Sequence, residues 1–264
     1  MRILNFLFSR SKQEQDKPIR DKLKTRKDFE RVLAEDLDIM ETTKARMDTA
    51  KNINSYMYRS LSYSYILILQ SKYSVDAKID ELRDIYIKSM YYFLQAFNKR
   101  NPIYADILNY VSLGVLLNIP DDNFRQLIDY VKQMDKQAKP SGWTPDLLLW
   151  FMLNSRMKEQ EKQKYAETLA YPRLYNGLYK VIQAPNATAA KDALNKYLDR
   201  WYNLNSNAPW YNSHLKDNSY RGYWAWEVAA VAKIMHIDDS DLKNNQYYPY
   251  DMVHWADNET TAKE

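Results

Sequence analysis

Glycine is almost absent from this sequence, and its scarcity limits the folds that the chain can adopt. Among 264 residues the only glycines are Gly114, Gly142, Gly177 and Gly222. Folds built from β-hairpins place glycine in their tight turns. No segment of useful length shows the apolar–polar alternation that a half-buried strand needs. The chain is therefore predicted to be all-α.

The first long segment has the spacing that supports this prediction. From Arg20 to about Asn52 no proline or glycine interrupts the chain. Its apolar side chains fall in one arc of a helical wheel, as a core-facing helix requires. The members of this predicted arc are Phe29, Val32, Leu33, Leu37, Ile39, Met40 and Met47.

Similar patterns continue to about residue 235. Further helices are predicted over 54–73, 76–98, 102–117, from Asp121 or Asp122 through Val131, from Thr144 onwards, and over 159–170, 172–183, 188–204 and 220–235. We expect a multi-helix array of antiparallel helical hairpins in two closely packed halves. The helix-breaking residues 139–142 predict a boundary between an N-terminal region, 1–138, and a C-terminal region, 139–264.

A short internal similarity accompanies this pattern. Residues 116–124 align without a gap on residues 234–242, and both segments have an apolar helix end, an isoleucine and an acidic start to the next helix. The similarity indicates either paired helical hairpins of a repeat-like fold or the ordinary sequence of a helix–turn–helix joint.

The composition indicates a cytoplasmic protein. No cysteine is present, which excludes disulfides and thiolate metal sites and fits a reducing compartment. The apolar run within Met1 to Arg10 is shorter than a signal-peptide core and is followed by no small-residue cleavage site. No stretch approaches the length of a membrane span, so no membrane partner is expected.

The sequence contains no recognisable catalytic set, cofactor motif or metal motif. His214, His236 and His254 lack the spacing of a helical zinc site. Glu227 falls in the buried arc of the last long helix, where a charged carboxylate is costly unless it is paired. It is interpreted as a structural carboxylate, with a general base or a partner-binding acid as the alternative. The chain is therefore predicted to be no enzyme and to need no cofactor.

Charge is distributed unevenly along the chain. Residues 28–41 carry six acidic groups against Arg31 alone, although the whole chain has a net charge of +4. The outward carboxylates of this helix are Asp28, Glu30, Glu35, Asp38 and Glu41, and Asp36 lies at the edge of the apolar arc. Such a run is typical of a solvated face, and alternatively of an acidic surface that meets the basic cleft of a nuclease.

The C-terminal quarter resembles a known family. The residues that carry the resemblance are Gly222, Tyr223, Trp224, Trp226, Glu227, Ala229, Ala230 and Lys233, then Ile237, Asp238 and Asp239, and then Tyr247, Tyr248, Pro249, Tyr250 and Asp251. Their order and spacing resemble the C-terminal signature of the PoNi family, the immunity proteins to PoNe-type DNase effectors of type VI secretion and other polymorphic toxin systems.

This resemblance implies an α-helical protein that binds and neutralises a cognate nuclease toxin. Its signature residues are expected to be structural, with Glu227 and Asp251 as members of buried polar pairs. The outward carboxylates of the first long helix are predicted to contact the toxin, with no direct contact to nucleic acid. The alternative function is a helical nucleic-acid-binding protein that uses the basic, tyrosine-rich residues 42–236.

Overall fold

The computed structural model describes residues 18–96, 103–136, 143–216 and 218–256. Over these ranges the chain is all-α, as predicted, with no strand. The helices are α1 (Arg26–Thr49), α2 (Ser55–Val75), α3 (Ile79–Gln95), α4 (Tyr104–Leu116), α5 (Asp121–Lys136), α6 (Leu147–Asn154), α7 (Pro172–Ile182), α8 (Ala187–Leu204), α9 (Trp226–Met235) and α10 (Tyr250–His254). Among these described residues, no helix is long and apolar enough to cross a membrane.

Contacts divide the chain into two compact units. Unit 1 consists of residues 1–97 and 212–223, and unit 2 consists of residues 98–211 and 224–264. The predicted boundary at 139 falls within residues 137–142, which lie outside the described part of the chain. The division into 1–138 and 139–264 therefore stays a prediction.

Unit 1 contains α1, α2 and α3, which follow one another as antiparallel helices. Arg26 at the start of α1 forms an ion pair of 3.1 Å with Asp76, the residue after the end of α2. On the other side of α2, the Ser89 hydroxyl of α3 donates to the carbonyl of Ser62 at 2.8 Å. Because α2 contacts both other helices, it is the central helix of the unit.

Unit 2 is organised around the buried helix α4. Ten of the thirteen residues of α4 are buried, and the helix packs against α9 and α6. Helices α7 and α8 form a second hairpin. A Cβ atom at Gly177 of α7 would lie only 2.5 Å from Tyr197 Cδ2 of α8, so glycine is needed for the two helices to approach this closely.

Two predicted helices differ from the structure. The helix predicted over 159–170 is wrong: a single 3-10 turn at Glu159–Glu161 is followed by extended chain. The Asn154 side chain bonds both backbone groups of Gln163, at 2.8 and 2.9 Å, and the Thr168 carbonyl accepts from the amide of Leu147. These bonds hold the segment in a non-helical conformation.

The helix predicted over 220–235 begins only at Trp226. Gly222 has a φ of 106°, which a helix cannot contain, and the Ala225 amide donates to the carbonyl of Tyr247 at 2.8 Å. Residues 220–225 are therefore an extended entry into α9.

The internal similarity has a structural explanation in unit 2. Asn118, two residues after the end of α4, and His236, directly after α9, both have positive φ, of 44° and 51°. The following isoleucine amide bonds back to the helix in each case, from Ile119 to Gly114 and from Ile237 to Ala232. Both helices thus end in a Schellman motif. Beyond it the elements differ, since α5 has 16 residues whereas Ser240–Leu242 is a 3-10 turn. The shared feature is the joint.

Candidate functional site

One of the five carboxylates predicted to contact a partner forms hydrogen bonds within unit 1. Asp28 belongs to a capping box at the start of α1, where its carboxylate accepts from the Thr25 hydroxyl at 2.7 Å and from the Thr25 amide at 3.0 Å. These bonds lower the pKa of Asp28. Asp28 therefore stabilises the start of α1. Because its carboxylate already accepts hydrogen bonds from Thr25, it should contribute less to binding a partner than the other four carboxylates.

The other four predicted carboxylates lie along the outward side of α1. Asp38 and Glu41 are exposed, and Glu30 and Glu35 are half-buried. Between Glu30 and Glu41 the described chain has Arg31 as its only basic residue, so this side of the helix is acidic. Contact of these residues with a nuclease stays a prediction.

Asp36 is separated from this surface by burial. Its carboxylate is 3% exposed and forms a bidentate pair with Arg221, with Nε–Oδ2 at 2.5 Å and Nη2–Oδ1 at 2.8 Å. Both residues belong to unit 1, because residues 212–223 pack there. The Arg221 charge neutralises Asp36 internally, so Asp36 contributes little to the acidic surface.

The predicted apolar arc of α1 is wrong at Ile39. Its side chain is 52% exposed, whereas Phe29, Val32 and Leu33 are buried. Periodicity extends the arc along the whole helix, but among the described residues most of the buried side chains of α1 lie in its first half. In the second half, Met47 alone is buried.

The signature residue Glu227 is buried in unit 2, as predicted. Its carboxylate accepts a 2.6 Å hydrogen bond from the indole N–H of Trp201 on α8. Burial raises the pKa of Glu227 to about 7. Burial, followed by the nearby Glu227 charge, also raises the pKa of Tyr175 and Tyr197. This cluster joins α7, α8 and α9 and is enclosed by protein, which fits a structural role.

Asp239 forms the second buried polar cluster of unit 2. Its two oxygens accept from the Tyr248 hydroxyl at 2.6 Å and contact His254 Nε2 at 2.8 Å. The neighbouring Asp238 is exposed, and a hydrogen bond from Lys191 at 2.8 Å lowers its pKa. Asp239 therefore connects the turn after α9 to α10.

The expectation that Asp251 belongs to a buried polar pair is wrong, since its side chain is exposed. On the single turn of α10 the buried side chains are Met252 and Val253, which leaves Asp251 on the outer side. Pro249 is buried directly before this helix.

The aromatic signature residues are packed against other rings. Tyr247 stacks on Tyr202 with a centroid distance of 5.3 Å, and Trp224 and Trp226 lie 6.1 Å apart. Tyr223, in unit 1, accepts from the amide of His214 at 3.0 Å through its hydroxyl. The signature is thus mainly an internal packing pattern.

The three histidines lie apart from any cluster of potential metal ligands among the described residues. No group of three or more potential ligands comes together in the described part of the chain. His214 and His254 contact Tyr223 and Asp239 respectively, and His236 is the left-handed residue that ends α9. Each histidine has a structural position.

Sequence reasoning missed Arg221 and Asp146, both of which organise buried polar contacts. Asp146 caps α6, accepts from the Tyr104 hydroxyl at 2.9 Å and from the Ala170 amide at 2.7 Å, and has a pKa raised by burial. An Asp before the apolar run of α6 is a recognisable cap signal. Arg221 had no such local signal.

Comparisons with known proteins agree with this architecture. A family model described as PoNe immunity protein (PoNi), N-terminal, matches residues 11–129, and one described as PoNe immunity proteins (PoNi), C-terminal, matches residues 144–252. The crystal structure of protein PA2201 from Pseudomonas aeruginosa is similar with a TM-score of 0.71, covering 97% of this chain and 95% of that chain at 17% identity. That likeness shows a shared fold. No curated protein matches the chain.

Proposed function

This chain belongs to the PoNi family of immunity proteins, and from that premise we propose that it binds and neutralises a cognate DNase toxin of the PoNe type. The observation that carries the proposal is the match of both family models, which together span most of the chain. The chain acts by binding and has no turnover of its own. The toxin reaches it through type VI secretion or another polymorphic toxin route, and the encounter takes place in the cytoplasm, where the DNase would meet the chromosome.

The acidic side of α1 supports inhibition by occlusion. A DNase must present a cationic surface to hold phosphates. Glu30, Glu35, Asp38 and Glu41 lie on one helix whose first half is fixed in the core of unit 1. Carboxylates along the outward side of a helix can replace the DNA phosphates at such a surface, and their field speeds association. The inhibitor thereby covers the DNA-binding or active surface of the toxin.

The test uses the purified chain and the nuclease domain of a cognate toxin of the PoNe type. Plasmid cleavage by the nuclease is measured while the chain is added in increasing amounts. We expect cleavage to fall in proportion to added chain and to stop near one equivalent, with no cleavage by the chain alone. Full cleavage in the presence of a large excess of the chain would contradict the proposal. Salt-sensitive DNA binding by the chain alone would favour a nucleic-acid-binding protein instead.

A further inference from the structure

Residues 212–223, which we call the strap, belong to unit 1, although the chain before and after them belongs to unit 2. Tyr220 and Arg221 of the strap both contact α1. The Tyr220 ring lies 5.8 Å from the ring of Phe29, and the Arg221 guanidinium forms the bidentate pair with Asp36. Phe29 and Asp36 are about two helical turns apart on one face of α1, so the strap holds this face at two points.

The strap is itself anchored within unit 1. The Arg221 carbonyl accepts a 2.8 Å hydrogen bond from the Ser74 hydroxyl of α2, and the Tyr220 hydroxyl donates to Asp21, which precedes α1. The Nη1 atom of Arg221 donates to the carbonyl of Asn218 in the strap at 3.1 Å, while Nε and Nη2 bond the carboxylate of α1. All three guanidinium nitrogens therefore have acceptors, and the strap sets the position of the guanidinium.

The Asp36–Arg221 pair constrains α1 differently from the apolar contacts of the same helix. Phe29, Val32 and Leu33 are buried, but burial of apolar surface favours no single orientation of a helix because the hydrophobic effect is non-directional. A bidentate pair of carboxylate and guanidinium has two parallel hydrogen bonds and therefore a fixed geometry. Exchange of buried ion pairs for apolar residues often leaves stability unchanged, and the best-attested use of buried polar groups is to specify register. The pair therefore selects one rotation of α1 about its axis.

The rotation of α1 decides where its outward carboxylates point. At about 100° per residue, Glu30, Asp38 and Glu41 lie about 120–160° around the helix from the carboxylate of Asp36. They are therefore on the opposite side. Asp38 and Glu41 are exposed and Glu30 is half-buried, whereas Asp36 is only 3% exposed. Because Arg221 holds Asp36 inwards, it also holds the other three carboxylates outwards.

We propose that Arg221 is a positioning residue for toxin binding. Through its pair with Asp36, it selects the rotation of α1 at which the three outward carboxylates face the nuclease. This inference rests on the proposed function and names the residue that orients the acidic side of α1. Arg221 acts through Asp36, because it is 9% exposed and its guanidinium bonds within unit 1. Arg221 lies in the region matched by the C-terminal family model and α1 in the region matched by the N-terminal one, so the two matched regions act together in binding.

The two rate constants of binding should depend on Arg221 to different extents. Attraction at long range between a charged helix and a cationic surface depends mainly on the number of charges, so a small rotation of α1 changes association little. Ion pairs in the docked complex depend on the distance between the two charged groups, so the same rotation weakens them and speeds dissociation. Loss of the Asp36–Arg221 geometry should therefore shorten the lifetime of the complex.

The experiment replaces the pair by apolar residues in the full chain, Asp36→Leu/Arg221→Met, and measures binding of the inactivated nuclease domain. The net charge is unchanged, and the variant should melt near the temperature of the parent, because such exchanges are often neutral for stability. Dissociation should become about tenfold faster, while association changes by less than about threefold. Arg221→Lys keeps the buried charge without the bidentate geometry and should also dissociate several-fold faster. The control Lys191→Met/Asp238→Leu removes a surface pair of unit 2 and should leave both rates unchanged.

The outcomes separate this inference from the proposed function. If the parent chain forms no complex with the nuclease, both are overturned. If the parent binds and the folded apolar-pair variant dissociates at the rate of the parent, the proposed function stands and the positioning role of Arg221 is wrong. If the apolar-pair variant does not fold, the dissociation rate of Arg221→Lys decides in the same way. Slower association with unchanged dissociation would also contradict the inference, because the fit of the docked complex would then not depend on the pair.

Discussion

In α9 and the residues that lead into it, nine consecutive residues from Trp224 to Ala232 are buried, whereas the 24 residues from Leu37 to Ser60 contain one buried residue, Met47. Both regions are largely helical. Residues 224–232 form part of the core of unit 2, whereas residues 37–60 lie mostly at the surface of unit 1. The difference separates stability from binding, because a buried residue can be changed only at the expense of the core, whereas an exposed one is available to a partner.

The difference also explains why the family signature and the proposed docking surface do not coincide. Glu227 and Asp239 are enclosed by protein and bonded to Trp201 and Tyr248. Their role is to hold elements of unit 2 together. The acidic side of α1 belongs to unit 1 and has none of the signature residues.

The largest effect on stability is expected on α1, where the buried Asp36 and the exposed Asp38 are two residues apart. Asp36→Ala should lower the free energy of unfolding by about 3–5 kcal/mol, because it leaves the buried Arg221 guanidinium without its charge partner. Asp38→Ala, two residues along the same helix, should change it by less than about 0.5 kcal/mol, because Asp38 is exposed. Chemical denaturation of both variants measures the contrast, and equal losses would show that burial does not divide α1 in this way.

A pH-dependent effect is expected from Glu227 in the buried region. Its pKa is raised from 4.5 to about 7 by burial. A carboxyl with a raised folded-state pKa contributes stability that is present below pH 4.5 and is lost as the pH rises through about 7. The parent should therefore lose about 3 kcal/mol relative to Glu227→Gln across this interval, since glutamine does not titrate.

Urea unfolding of the parent and of Glu227→Gln between pH 4.5 and 8 checks this expectation. Glutamine keeps an oxygen that can accept from Trp201, so the comparison isolates the charge. Stability curves that run parallel across the whole interval would contradict a buried, titrating Glu227.

A smaller contrast is expected at two neighbouring aspartates after α9. Asp239→Ala should cost about 1–3 kcal/mol, because the Tyr248 hydroxyl loses its acceptor inside the protein. Asp238→Ala should cost less than Asp239→Ala, since its pair with Lys191 is on the surface. Thermal melting of the two variants distinguishes them. Similar melting temperatures would mean that the signature clusters are less important to stability than their burial indicates.

Helical periodicity was sufficient to predict the fold class and most of the helices. Phe29, Val32 and Leu33 are buried as their spacing predicts, and Glu227 is buried as its place in the buried arc of the last long helix predicts. Such reasoning locates the apolar side of a helix. It cannot say how far along the helix a neighbour extends, and for that reason Ile39 was assigned to the core although it is exposed.

Contacts between residues far apart in the sequence could not be predicted from local patterns. Asp36 has no basic residue three or four positions away on α1, and its partner Arg221 lies 185 residues further along the chain. The failed helix over 159–170 has a related cause at shorter range, because the side chain of Asn154 fixes the backbone of Gln163 nine residues further on. In both cases one tertiary contact outweighed the local pattern.

Hydrogen exchange of the chain, free and saturated with the inactivated nuclease domain, compares the two regions in one measurement. The account predicts that backbone amides in residues 37–41, on the acidic side of α1, exchange rapidly in the free chain and become protected in the complex. Amides in residues 224–232 should exchange slowly in both states, because they are buried before the partner arrives. A saturated complex in which residues 37–41 exchange as they do in the free chain, while protection appears elsewhere, would contradict the account.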